Sequence, residues 1–140
     1  MKFARWVFLL AGIWRIVVLS PLYFLEKFIG VQHPPPITHL EYFYGFIGVA
    51  LAWQILFLII ASDPVRYRGA MLAAVVEKFA FVLAVYALLA KQRVDASMAL
   101  AATIDLLLGI LFIIAFVRTS AAGHSPQLPR NASSAEGSAP

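Results

Sequence analysis

The sequence predicts an all-α integral membrane protein: an up-down bundle of four transmembrane helices followed by a disordered, cytoplasmic C-terminal tail. Of its 140 residues, 62% are hydrophobic and 13% are charged, against roughly 25% charged residues in soluble domains. Four apolar runs each approach the ~20 residues that a membrane-spanning helix needs. We assign residues 1–118 to the transmembrane domain. Residues 119–140 are rich in Ser, Ala, Gly and Pro, with little apolar surface to bury.

The same composition excludes several classes of function. A mean hydropathy of +0.86 is incompatible with a soluble enzyme. A net charge of +4, not gathered on one face, argues against nucleic-acid binding. The absence of cysteine excludes disulfides, thiol chemistry and cysteine-ligated metals. No apolar run contains a histidine for haem ligation, and there is no Gly-rich phosphate loop. We therefore expect no enzymatic activity, no cofactor and no metal.

The first apolar run, 6–24, is predicted to be a retained span. Arg15 interrupts it, and no small-residue cleavage site follows before Pro21, so a removed signal peptide is disfavoured. Proline lacks a backbone N–H, and here it lies close to the end of the run. We therefore expect a kink or a loosened last turn at Pro21.

The second run, 40–62, follows a proline-rich loop and is predicted to begin with a capping box formed by Thr38 and Glu41. Polar residues around this start form a predicted outer-rim cluster: His33, His39, Glu41, Tyr42 and Tyr44. Histidines with carboxylates can bind a metal, and a carboxylate beside a tyrosine can recognise a quinone or lipid head group. The spacing matches no standard metal motif. We therefore expect solvated interface residues.

The third and fourth runs are predicted to span 69–90 and 96–117. Asp63 followed by Pro64 is a helix-start pattern ahead of the third run, and Asp95 is placed to cap the fourth. The connections on either side of the third run are short. Short connections make consecutive helices antiparallel neighbours, which predicts the up-down bundle.

Lys and Arg are unequally divided between the two sides, and this predicts the orientation. One side carries Lys2, Arg5, Arg66, Arg68, Arg118 and Arg130; the other carries Lys27, Lys91 and Arg93. Because cytoplasmic flanks are enriched in these residues, we expect both termini in the cytoplasm. The expected location is the inner (plasma) membrane of a cell, with several crossings.

Five polar residues lie inside the predicted spans, roughly 12–18 Å from their inner ends at the helical rise per residue. They are Arg15, Gln54, Glu77, Lys78 and Asp105. Their formal charges sum to zero, as burial in a membrane requires. We expect Arg15 to pair with Glu77 or Asp105, and Lys78 with the remaining acid. Such a layer is either structural, fixing helix order and rotation, or ion-coupling.

Small residues recur on one stripe of three spans, and these stripes predict the packing faces. In the third span the stripe consists of Ala70, Ala73, Glu77, Ala80 and Ala84. In the fourth span it consists of Ala101, Asp105 and Gly109. In the second span it consists of Glu41, Gly45, Gly48 and Ala52. By helical phase, Lys78 lies about 100° from Glu77 and off its face, although its long side chain can bend towards a neighbour.

Two stretches, PPPITHLEYFYGFIGVALAWQILFLII and DPVRYRGAMLAAVVEKFAFV, resemble a family of small bacterial four-span membrane proteins. The resemblance covers residues 1 to about 118. In layout the chain is also similar to the DoxX-like group, without matching a specific motif, so no functional residue is transferred. Small multidrug-resistance transporters carry an essential glutamate in the first span, where this chain has Arg15.

Three functions are expected from these observations. The leading one is a non-enzymatic accessory or assembly subunit that packs against itself or another membrane protein. The second is a small oligomeric carrier or channel in which Glu77 or Asp105 couples ions. The third is a quinone- or lipid-binding membrane module. The expected partners are the lipid bilayer and either a homo-oligomer or another membrane protein, with no nucleic acid.

Overall fold

A computed structural model describes residues 2–32 and 36–122 and contains only helices and connecting turns within them. The α-helices are α1 Lys2–Leu19, α2 Glu26–Gln32, α3 Leu40–Ser62, α4 Arg68–Ala90 and α5 Ala96–Ala122. A short 3-10 helix, Ser20–Phe24, continues α1. Four stretches are long and apolar enough to cross a membrane: Lys2–Phe24, Leu40–Ser62, Arg68–Ala90 and Ala96–Ser120. The predicted all-α class with four membrane-spanning helices is confirmed.

The spans agree with the predicted runs, except that α1 begins at Lys2 and not at residue 6, and that α5 extends beyond the predicted end of the fourth run. Helix α5 continues to Ala122, so the tail boundary predicted after residue 118 falls inside a helix. The rest of the predicted tail, 123–140, lies outside the described residues. The predicted outer loop also contains a helix, α2, whose first turn carries Glu26. An acidic residue is favourable there because it faces the positive end of the helix dipole.

The local signals at helix ends had different outcomes. The loosened turn expected at Pro21 is present: the chain continues from α1 as a 3-10 helix, and Pro21 lies at the start of that helix. The capping box is wrong: His39 is the N-cap of α3, no side chain caps it, and Glu41 contacts His39 instead. Asp63 does accept a hydrogen bond from the Arg66 N–H at 3.1 Å, but within a turn that precedes α4.

The helices pack as two hairpins joined through α1 and α5. Helix α1 packs extensively on α3 and α4 packs on α5, α1 also contacts α5, and α3 and α4 touch only sparsely. Phe8, Phe57 and Phe112, from α1, α3 and α5, meet in the core. The Phe8 and Phe112 ring centroids are 4.2 Å apart, and those of Phe57 and Phe112 are 5.0 Å apart. Such aromatic contacts add to the energy of packing.

The predicted packing face is correct for α5 and wrong for α3 and α4. Asp105 and Gly109 are buried in α5. The buried face of α4 instead consists of Met71, Ala74, Lys78, Val82 and Val85, whereas Ala73, Ala80 and Ala84 are exposed. In α3, Gln54 is buried, whereas Gly45 and Ala52 are exposed. The rotation of these helices is set by the burial of Lys78 and Gln54 and not by the stripes of small residues. A cation that faces lipid costs about 2.5–3.5 kcal/mol, which is more than close packing of the small residues gains.

Two glycines lie where neighbouring helices approach closely, and a side chain at either position would force its neighbours to shift. A Cβ added to Gly12 of α1 would lie 3.2 Å from the backbone oxygen of Gln54 and 3.0 Å from Leu58 Cδ2. A Cβ on Gly109 would lie 3.0 Å from Phe79 Cε2. Gly45 lies in open space, with nothing within 4 Å of such an atom. The α1–α3 contact therefore depends on Gly12.

We expect Gly12→Leu to destabilise the bundle by about 1–3 kcal/mol, because overpacking forces the two backbones apart. The measurement is the SDS-unfolding midpoint in mixed micelles, followed by circular dichroism. Gly45→Leu is the matched control and should leave the midpoint unchanged or slightly raise it. Equal losses in both variants would contradict the close α1–α3 contact.

Candidate functional site

An ion pair between α1 and α5 lies at the centre of the polar layer. Arg15 Nη2 donates to Asp105 Oδ2. The two residues are 90 positions apart in sequence, so the contact joins the first and last spans. Asp105 is fully buried, and 16% of the Arg15 side chain is exposed. The sequence predicts that Arg15 pairs with Glu77 or with Asp105, and in the structure it pairs with Asp105.

Lys78 is the second cation of the layer and contacts both acids. Its Nζ lies 3.0 Å from Glu77 Oε2 and 3.4 Å from Asp105 Oδ1. Lys78 therefore pairs with Glu77, the acid that Arg15 does not bind, as expected, because its long side chain bends back to its neighbour on the same helix; it also contacts Asp105. Lys78 is fully buried, and the Glu77 side chain is 19% exposed. The four side chains form one network, which we call the charge cluster.

The charge cluster is neutral, and aromatic rings cover it. Two cations and two carboxylates balance, so no net charge is buried, and the larger cost of an unpaired buried charge is avoided. The Lys78 Nζ lies 5.3 Å from the Phe57 ring centroid, and the Arg15 Cζ lies 5.9 Å from that of Phe81. Cations near aromatic faces gain further stabilisation where water is excluded.

Gln54, the neutral member of the polar layer, stands beside the charge cluster without joining it. Its Nε2 donates to the Ala50 backbone oxygen at 2.8 Å. The residue is 1% exposed. No protein group in the described part of the chain donates a hydrogen bond to its Oε1, and Arg15 Nε likewise has no acceptor there. A buried polar atom without a partner costs about 1–3 kcal/mol.

A cavity of about 250 Å³ adjoins these groups. Its polar lining comes from Arg15, Gln54, Glu77 and Asp105. Its apolar lining comes from Leu19, Phe46, Val49, Ala50, Trp53 and Phe81. Phe46 and Val49 are 54% and 62% exposed, so this wall reaches the outer surface of the bundle. The cavity is therefore partly open to the side, where α3 and α4 touch only sparsely.

Sequence reasoning missed the aromatic and aliphatic part of this wall. Phe46, Ala50 and Trp53 follow one another at helical spacing and share a face with Gln54. That spacing was available as a signal. It could not be recognised because α3 is apolar on nearly every side, so the sequence does not distinguish the face that lines the cavity from the other faces.

The predicted outer-rim cluster does not form a single site. His39 Nδ1 lies 3.3 Å from Glu41 Oε1, and both side chains are exposed. Tyr42 is exposed, with its ring 5.6 Å from that of His39. Tyr44 instead donates to Glu26 of α2 at 2.6 Å. His33 lies outside the described residues, and within them no group of three potential metal ligands occurs.

Comparisons with protein-family models, curated proteins and solved structures find no match to this chain. Its candidate site is therefore interpreted from its own geometry.

We expect Asp105→Asn to lower the free energy of unfolding by about 3–5 kcal/mol, because it leaves the Arg15 cation buried without a carboxylate. Glu77→Gln should cost clearly less, since Lys78 keeps Asp105 at 3.4 Å. Both variants are measured by SDS unfolding in mixed micelles. The double variant Arg15→Met with Asp105→Leu removes one charge of each sign and should recover most of the stability. An Asp105→Asn protein as stable as the unmodified chain would show that the ion pair contributes nothing.

Proposed function

We propose that this chain is a non-enzymatic, multi-pass membrane protein that binds a small lipophilic molecule from the bilayer. The observation that carries the proposal is the laterally open cavity between α3 and α4. Its apolar wall reaches the outer surface, and its inner end holds polar groups. Small-molecule sites have this composition, with apolar walls and a few polar groups that orient the ligand.

The size of the cavity indicates how such a molecule is held. Pockets for complete drug-sized ligands occupy about 300–1,000 Å³, and this cavity occupies about 250 Å³. It therefore accommodates a head group beside Gln54 and Arg15. The remaining, apolar part of the molecule leaves past Phe46 and Val49 into the lipid. A ligand that enters from the bilayer needs no aqueous path through the bundle.

The charge cluster supports this role better than ion coupling. Asp105 is fully buried and contacts two cations, so releasing it for ion transport breaks both contacts. Glu77 is paired with Lys78 at 3.0 Å. Groups engaged in this way favour a structural function, with the cluster forming the inner wall of the cavity.

Binding a ligand without transforming it is a role that an accessory subunit supplies to a larger assembly. We therefore propose that the chain is an accessory subunit, assembled with itself or with another membrane protein in the inner membrane.

The end of the bundle near the termini supports the orientation with both termini in the cytoplasm. It carries Lys2, Arg5, Arg66, Arg68 and Arg118. There the Arg118 Cζ lies 4.8 Å from the Phe3 ring centroid, and the Arg68 Cζ lies 3.9 Å from that of Phe116.

The binding proposal predicts that a lipophilic molecule accompanies the protein when it is purified from its native membrane. We expect Ala50→Phe, which fills the cavity, to abolish this association as measured by native mass spectrometry and extraction. Ala52→Phe is the matched control. Ala52 lies on the same helix, is exposed and does not line the cavity, so the bound molecule should be retained.

Identical lipophilic contents in the two variants would overturn the assignment of the cavity. Unfolding midpoints of both variants are measured in parallel, so that a loss of the ligand is distinguished from a loss of the fold. A protein partner recovered in the same preparation would identify the assembly in which the chain works.

The orientation is tested with introduced thiols, since the chain contains no cysteine. Ser62 and Ser97 are exposed and lie near opposite ends of the bundle. We expect a membrane-impermeant maleimide to label Ser97→Cys in intact cells, and Ser62→Cys only after permeabilisation, because basic flanks remain in the cytoplasm. The reverse labelling pattern would place the termini outside.

A further inference from the structure

We infer that the cavity selects a neutral head group that is an aromatic ring bearing a hydroxyl, such as a phenol or a hydroquinone on an apolar chain. This inference rests on the proposed function and specifies its ligand. Three features of the site carry it: the balance of charge, the unpartnered polar atoms and the aromatic wall.

The balance of charge excludes an ionic head group. Arg15, Lys78, Glu77 and Asp105 neutralise one another through contacts already made. A carboxylate or ammonium brought into the cavity would add a buried charge without a counter-charge, which is costly in a membrane. A neutral polar head avoids this cost.

The unpartnered atoms indicate which hydrogen bonds the head group makes. The Gln54 Nε2 is engaged with Ala50, and its Oε1 has no partner among the described residues and needs a donor from the ligand. Glu77 Oε2 and Asp105 Oδ1 also accept no hydrogen bond there, but both lie within 3.4 Å of the Lys78 ammonium. Arg15 Nε–H is the free donor and needs an acceptor. Both atoms are shielded from solvent. Side-chain rotation therefore has to bring each atom to the cavity that both residues line, and the terminal torsion of glutamine is soft enough to allow this. A hydroxyl supplies both a donor and an acceptor.

The aromatic wall favours a ring as the carrier of that hydroxyl. Phe46, Trp53 and Phe81 line the cavity. The rings of Phe46 and Phe81, from α3 and α4, are 6.5 Å apart at an interplanar angle of 25°. Offset-stacked and edge-to-face arrangements of aromatic rings are favourable beyond the area they bury. A phenol ring gains from this wall, whereas an aliphatic alcohol gains only burial.

The test is a titration of the protein in lipid nanodiscs, with Trp53 as the reporter. Trp6→Phe and Trp14→Phe, both at exposed positions, leave Trp53 as the one tryptophan, excited where phenols do not absorb. The probes are 4-decylphenol, 4-decylanisole and 1-hexadecanol. The anisole keeps the ring and the oxygen acceptor and carries a methyl group in place of the O–H hydrogen, and the Gln54→Met variant separates the lost donor from the added bulk. The alcohol keeps the hydroxyl and lacks the ring.

We expect 4-decylphenol to bind at least roughly fivefold more tightly than 4-decylanisole, because the anisole leaves Gln54 Oε1 unpartnered. It should also bind more tightly than 1-hexadecanol. Gln54→Met, of similar volume and without the acceptor, should remove the preference for phenol over anisole. The comparison of probes on the unmodified Gln54 site remains decisive even where this variant unfolds.

The outcomes separate the two proposals. Equal binding of phenol and anisole, abolished by Ala50→Phe, overturns the hydroxyl selectivity and leaves the lipophilic site standing. Tighter binding of 1-hexadecanol than of 4-decylphenol overturns the aromatic preference. Failure of every probe to change Trp53 fluorescence counts against the proposed function itself.

Discussion

The arrangement of this bundle depends on the need to neutralise charges away from water. Arg15 on α1 and Lys78 on α4 both form ion pairs with Asp105 on α5, so one carboxylate links three helices. An unpaired cation at this depth is costly, and the contact therefore constrains helix order as well as helix rotation. It also explains why α5 contacts both α1 and α4, whereas α1 and α4 are not direct neighbours.

The same constraint leaves α3 outside the network. Helix α3 contributes no charge to the cluster and packs mainly on α1, through the close approach at Gly12. It meets α4 only sparsely, although a short connection joins the two helices. The space between them is the cavity, whose inner wall is the charge cluster. The ion pairs among α1, α4 and α5 and the cavity between α3 and α4 are therefore consequences of the same helix arrangement.

The lengths of the spans could be predicted from sequence because bilayer thickness imposes them. Leu40–Ser62 agrees with the predicted run 40–62. Helix faces could not be predicted in the same way, because α3 and α4 are apolar on nearly all sides. The small residues predict a packing face through Ala73 and Ala80, yet the buried face of α4 is the one that carries Lys78. The polar residues of a span therefore indicate its inner face better than its small residues do. To predict that Arg15 pairs with Asp105, one must know the order of the helices around the bundle. The periodicity of a single helix does not contain this information.

Arg15 belongs both to the ion pair and to the lining of the proposed binding site. Its Nη2 donates to Asp105 while its Nε–H has no acceptor among the described residues. A guanidinium is planar, with its donors in a fixed fork, so the carboxylate that holds Nη2 also fixes the direction of Nε–H. A lysine would satisfy Asp105 equally in charge and would present no second donor in a fixed direction. The ion pair between α1 and α5 thereby sets the direction of this donor, and in the site that we propose the stability of the bundle and the recognition of a ligand depend on the same contact.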